Sequence, residues 1–207
     1  MASTIIHIAV AKKVLEEFKT NNQKDYYLGA IAPDISKQLG ESRLKSHFFE
    51  NQFKEIPNIK AFCQKYPNYK TNSFNLGYFV HLYTDKIWEE DFIHKIKEKK
   101  TITFYNGTTI STEGDDFFKM LYTDYTNLNI QIIDKYDLDL SLFYEDFIVP
   151  DTNIEEIPVE KLDILLNKIS ILIENSKGEK SYLIDISEVE EFIEKVSEEI
   201  IDYLKKN

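Results

Sequence analysis

A chain of 207 residues, 43% hydrophobic and 14% aromatic, is long enough to bury one sizeable core and suits a single domain. One cysteine, Cys63, excludes an internal disulfide framework, and no run approaches the roughly 20 apolar residues that cross a bilayer, so with no basic-then-apolar leader the expectation is a cytoplasmic protein without a transmembrane segment. The net charge of −11 is uneven: residues 1–100 carry 16 Lys+Arg against 12 Asp+Glu, and residues 101–207 carry 9 against 24, so the acidic half repels nucleic acid duplexes while the basic half permits an anionic substrate.

The first helical pattern runs from Ile5 to about Phe18, with Ser3 or Thr4 as its cap. His7 stands on its inward face with Ile6, Val10, Ala11 and Val14. A histidine there is a hydrogen-bonded core residue unless other ligands converge on it. Next comes Tyr26-Tyr27-Leu28-Gly29-Ala30-Ile31-Ala32-Pro33-Asp34. Its small residues allow close packing, and Pro33 biases Ala32 away from helix. Asp34 therefore follows a helix break, either as a cap of the next turn or as a ligand. Further on, Arg43 is the only arginine, and His47 precedes two phenylalanines that draw it toward the core. A guanidinium fork suits phosphate, so Arg43 is either a substrate-binding group or half of an ordinary ion pair. Residues 50–72 read as a partly irregular connection.

The organising helix starts near Ser73 and reaches the mid-90s. Leu76, Phe79, Val80, Tyr83 and Ile87 form its apolar stripe. Beside that stripe Gly77, His81 and Asp85 follow at four-residue intervals. Imidazole and carboxylate one turn apart on one face can share a metal ion, or simply bond each other. The glycine above them leaves room. Thr101 to Ser111 reads as a β-hairpin around Asn106-Gly107, the favoured type I′ turn. A long helix from Asp115 to Asp134 puts Asp124 within its inner stripe, and an acid there needs a compensating charge or hydrogen bonds. Asp124 is thus a further candidate ligand. After a hard-to-assign acidic stretch, two helices close the chain: Pro158 to Glu174, and one opened by a capping box at Ser187-Glu-Val-Glu190. This pair reads as packing material. The expected organisation is one helical domain over 1–207, with 1–134 as the core that carries the site and 135–207 packing on it.

Taken together, His7, Ala30-Pro33-Asp34, Ser46-His47-Phe48 and Gly77-Tyr78-x-x-His81-x-x-x-Asp85 resemble the zinc-dependent phospholipase C family, related to the zinc-dependent single-strand nucleases. The likeness covers roughly residues 4–130 and is strongest over 27–92. It implies an all-α, multi-helix bundle around a metal cluster, here with one small β-hairpin. It also implies that Asp34, His47, His81 and Asp85 surround one zinc, that His7 binds a neighbouring zinc, and that Asp85 bridges the two. Nitrogen and carboxylate ligands without thiolate suit zinc, one to three ions, with iron, manganese or nickel as alternatives. Two features depart from the family. Secreted members use a mature N-terminal amino group as a ligand, which is not expected here. Their later His-x-x-x-Glu pair has only His94-x-x-x-Glu98 as a counterpart; on an unbroken helix His94 points largely away from His81, which leaves Asp124 or Glu89 as the better additional ligand.

The function expected is that of a metal-dependent hydrolase of phosphoric esters, a phosphodiesterase acting on a small phosphorylated substrate. Asp34 would orient or deprotonate a metal-bound water, and Arg43 would hold phosphate oxygens. The alternative is a non-catalytic metal-binding helical protein, a scaffold or sensor. An open metal position separates the first from the second. A helical metallophosphohydrolase of the class with an adjacent His-Asp dipeptide ranks last, because that dipeptide is absent.

Overall fold

The computed structural model describes residues 1–51, 53–98, 101–103, 107, 109–111, 115–179 and 181–206. Helices dominate: α1 (Thr4–Glu17), α2 (Gln23–Gly29), the short α3 (Ile35–Gln38) and α4 (Arg43–Ser46), α5 (Ile59–Lys65), α6 (Ser73–Ile87), α7 (Ile93–Lys97), α8 (Asp115–Tyr136), α9 (Leu162–Glu174) and α10 (Ile186–Lys206). The all-α expectation holds.

α1 starts where Ser3, in extended conformation, accepts a hydrogen bond from the Ile6 N–H. Residues 5–11 of α1 are all buried. A helix apolar on every side belongs at the centre. α1 accordingly packs against α6, α8 and α10. α2 lies against α6 in backbone contact. A Cβ on Gly29 would stand 2.1 Å from the Phe74 carbonyl oxygen, and one on Gly77 would stand 1.9 Å from that of Tyr26. These two glycines let the helices touch without side chains between them, so the space above His81 is filled by the main chain of α2.

α6 does not run unbroken into α7. Trp88–Phe92 forms a π turn between them, with Trp88 fully buried. Such a turn accommodates an extra residue and rotates everything beyond it.

Two antiparallel hairpins accompany the helices. β3 (Thr101–Thr103) pairs with β4 (Thr109–Ser111), Thr101 opposite Ser111 and Thr103 opposite Thr109. This is the expected hairpin; Gly107 has φ of 81°, while Asn106 lies outside the described residues. The second, β1 (Phe49–Asn51) with β2 (Lys54–Pro57), was not expected. It falls in the stretch read as irregular, and only its ends are buried: both strands show mostly exposed side chains, so no alternating apolar pattern announced them. α5 in the same stretch starts at the Asn58 cap, whose side chain accepts from the Ala61 N–H. α10 opens two residues before the expected box. Asp185 is its cap, and the Glu188 carboxylate accepts from the Asp185 N–H at 2.8 Å. Its inner face is Val189, Phe192, Ile193, Val196, Ile200 and Leu204, as the periodicity predicts. Among the described residues no helix is long and apolar enough to cross a membrane.

Candidate metal centre

Four elements deliver five side chains to one point. α1 brings His7. A one-turn 3-10 helix, Ala32–Asp34, with Pro33 in its first turn, follows the end of α2 at Gly29 and brings Asp34. His47 caps the C-terminus of α4. α6 brings His81 and Asp85. His7, His47, His81 and Asp85 are at most 1% exposed, and Asp34 is 8% exposed. The chain leaves His47 through Phe48, whose φ of 54° is unusual for an aromatic residue. Phe48 is locked there by edge contacts with the rings of Phe62 and Tyr66. That reversal turns the backbone from α4 into β1 immediately after the histidine.

The imidazoles present their Nε2 atoms to the carboxylates. His7 Nε2 stands 3.3 Å from Asp85 Oδ1. His47 and His81 Nε2 stand 3.6 and 3.5 Å from Asp85 Oδ2 and 3.4 Å from each other. His47 Nε2 is 3.7 Å from Asp34 Oδ1. Tetrahedral zinc with bonds of 2.0–2.1 Å separates its ligand atoms by about 3.4 Å. The observed spacings fall at or slightly above that edge length.

The partners behind the rings fix which nitrogen faces inward. His81 Nδ1 lies 2.8 Å from the Ala30 carbonyl oxygen, which can only accept, so His81 carries its proton there. Ser36 Oγ donates to the Pro33 carbonyl at 3.2 Å, and Ser46 Oγ lies 3.0 Å from Ser36 Oγ. The Ser46 proton goes to Ser36 Oγ or to the Arg43 carbonyl oxygen at 3.4 Å, and its hydroxyl oxygen accepts from His47 Nδ1 at 2.9 Å. Both Nε2 atoms then hold lone pairs aimed at each other and at a carboxylate. Both ring nitrogens of His7, together with Asp34 Oδ1 and Asp85 Oδ2, are buried with no hydrogen-bond partner among the described residues. A buried set so rich in lone pairs and carboxylates suits a cation at its centre. The residues fit a metal ion of the nitrogen–oxygen class, zinc among them.

The electrostatics point the same way. Burial pushes the His7 and His47 imidazoles below their ordinary value. Burial also opposes charge on His81, but the Asp85 carboxylate beside it outweighs burial and raises it. Burial alone would raise both carboxyls; instead the neighbouring His47, His81 and His7 imidazoles hold Asp34 at about 2, and those of His7 and His81 hold Asp85 well below the usual range. Ionised carboxylates beside mostly neutral imidazoles are the protonation state that metal binding demands.

Two sequence candidates are corrected. Asp124 is fully buried, as its helix phase requires, but its carboxylate serves another purpose. Oδ1 accepts from the Tyr182 N–H, and Oδ2 accepts from Leu183 and Ile184 at 2.5 and 3.0 Å. Among the described residues, the hydrogen bonds that compensate its burial come from the main chain leading into α10. We expect Asp124→Asn to destabilise the fold by about 2–4 kcal/mol, since it replaces one carboxyl oxygen facing main-chain N–H donors by an amide N–H₂. Urea unfolding checks this, and metal content should be unchanged. Arg43 is paired with Glu55 on β2 at 2.7 Å and leans on the Phe49 ring, which is the ordinary ion pair. It is not among the residues lining the cleft that reaches Asp34. Glu89 pairs with the Met1 amino group at 2.5 Å, and His94 and Glu98 are exposed on α7.

The cleft itself was not foreseen. About 360 Å³ in volume, it is lined by residues 1–5, Asp34, Lys37, Gln38, the Tyr122–Asn129 stretch of α8 and the Leu165–Leu172 stretch of α9. Asp34 is the ligand that opens to it. α9 packs against α3 and the Asp34 turn, so the lining residues of α9 are brought from about 130 positions away. No local signal marks them.

The sequence profile of the zinc-dependent phospholipase C family matches residues 6–154. No curated protein and no solved structure matches the chain at a significant level. The match spans well over half of the 207 residues and contains all five converging side chains, and on that extent the chain belongs to the zinc-dependent phospholipase C family.

Proposed function

We propose that the protein is a zinc-dependent phosphodiesterase of phospholipase C type, acting on a small phosphoric ester. The observation that carries this reading is the openness of the centre on one side. Four of its five side chains are sealed in the core, while Asp34 lines a solvent cleft. A purely structural site is closed by protein on every side. His7, Asp34, His47, His81 and Asp85 would hold one ion, or two sharing Asp85. When bound, zinc lowers the pKa of water and polarises a phosphoryl oxygen.

The chain's own groups do the rest. Ala30 and the Ser46–Ser36 pair hold the His81 and His47 rings so that Nε2 faces the reacting side. Asp34, ionised and at the cleft edge, accepts a proton from the attacking water. The water oxygen bonds to phosphorus, and the ester oxygen leaves as an alcohol carrying one proton. The net reaction converts a diester and water to a monoester and an alcohol.

Elemental analysis of purified protein, with bis-p-nitrophenyl phosphate turnover before and after chelation, tests the proposal. The expected result is at least one zinc per chain and turnover that chelation abolishes and zinc restores. The chelated protein should also melt at a lower temperature, because an ion at a hundredfold its Kd adds about 2.7 kcal/mol to the folded state. Stoichiometric metal without turnover on any phosphodiester would sink the enzymatic reading and leave a scaffold or sensor.

A further inference from the structure

The cleft beside Asp34 carries information about what enters it. α9 forms one wall, although its residues lie beyond the 6–154 stretch that matches the family. Leu165 and Ile169 are buried in that wall, and Leu172 is 40% exposed at its rim. Lys168 stands on the same helix between them, exposed, one turn from Leu172. Across the cleft Lys37 of α3 lies over the Tyr122 ring, 4.5 Å from its centroid, and its Nζ donates to Tyr122 Oη at 3.2 Å.

These contacts decide the sign of the charge the cleft accepts. A quaternary ammonium group is recognised by the open face of an aromatic ring. Tyr122 already has an internal cation on its ring. A cationic headgroup would meet Lys37 and Lys168, with Asp34 the only acidic side chain in the lining and turned toward the imidazoles. The N-terminal end of α1 also opens on the cleft, with no acidic residue in its first turn, and adds positive potential. One further group is unused. Asn129 lines the cleft, is 1% exposed and gives Nδ2 to Ser176 Oγ at 3.2 Å, while its Oδ1 has no partner among the described residues. A buried acceptor without a donor suits a ligand hydroxyl.

We infer that the cleft favours a phosphodiester whose polar group is hydroxylated and uncharged or anionic over one with a cationic polar group, with Lys168 as a specificity-determining residue. The inference rests on the hydrolase reading for its reaction but not for its binding preference.

The test compares dihexanoyl phosphatidylglycerol with dihexanoyl phosphatidylcholine, which share tails and differ in the polar group. Binding is measured by calorimetry on the metal-loaded protein with phosphonate analogues in which a methylene replaces the scissile ester oxygen. Turnover is measured separately with the lipids themselves. The glycerol compound should bind roughly tenfold more tightly, the factor that one partly screened charge contact supplies. Lys168→Glu, at an exposed position, should abolish or reverse that ratio without moving the unfolding midpoint. Leu172→Ser should weaken both analogues equally and leave binding of the tail-less glycerophosphoglycerol analogue unchanged. Equal or tighter binding of the choline analogue, or a ratio that Lys168→Glu does not move, would overturn the inference. Preference in binding without turnover would uphold the cleft and defeat the hydrolase; turnover with a choline preference would do the reverse.

Discussion

Asp85→Asn should remove both metal retention and phosphodiester turnover. Asp85 is approached by all three imidazoles, at 3.3 to 3.6 Å, and its Oδ1 also accepts from the Ala2 N–H at 3.0 Å. Asparagine keeps the volume and one acceptor oxygen. It removes one of the two negative charges that would hold a cation among three imidazoles, and it turns an N–H₂ donor toward the ring nitrogens. Loss of a partner outside the ligand shell of a metal costs about 10–100-fold in affinity or activity, and loss of a shared ligand should exceed that range. The measurement is zinc per chain by elemental analysis beside turnover, with His94→Ala as a control on the exposed face of α7. A variant that keeps full zinc and full turnover would show that Asp85 is only a hydrogen-bond partner of the histidines.

Gly77→Ala is expected to be the most damaging added methyl among the described glycines. The added Cβ would stand 1.9 Å from the Tyr26 carbonyl oxygen and 2.8 Å from the Ala30 nitrogen, both main-chain atoms that no rotamer change can move aside. α2 must therefore slide off α6. In a helix interior alanine is favoured over glycine by about 1 kcal/mol, but overpacking costs about 1–3 kcal/mol even where side chains can yield. Here the backbone itself has to yield, so a net loss of at least about 3 kcal/mol is expected. The displacement has a second consequence. The Ala30 carbonyl that holds His81 Nδ1 sits at the end of α2, so its shift loosens the ring at the metal centre. Zinc affinity should fall together with the urea midpoint, by about 10–100-fold. Unchanged affinity and midpoint would mean that the two helices are not held in contact in solution.

The one-turn spacing of His81 and Asp85, the inward phase of His7, and the burial of His47 ahead of two phenylalanines were legible because each is a local property. Helix periodicity and a proline break are written within a few residues of the site they shape. The resemblance of five positions in order then joined pieces that no single motif joins, and those five converge. Asp124 shows the boundary of that reasoning. Its helix phase correctly told that it is buried, but phase says only that an acid faces inward, not what meets it there. What meets it is the main chain near Leu183, almost 60 residues away, and only the packing of the α10 lead-in on α8 decides that. Arg43 fails in the same way, because its partner Glu55 sits on a hairpin whose strands carry no apolar alternation. The cleft is the extreme case. Its walls come from α1, α3, α8 and α9, and a surface shared by four helices has no period in any one of them. The amino-acid sequence thus determined which side chains can bind a metal. Tertiary packing decided which of them meet, which lone pairs face inward, and on which side solvent reaches them, because those are relations between elements whose separation along the chain carries no trace of their distance in space.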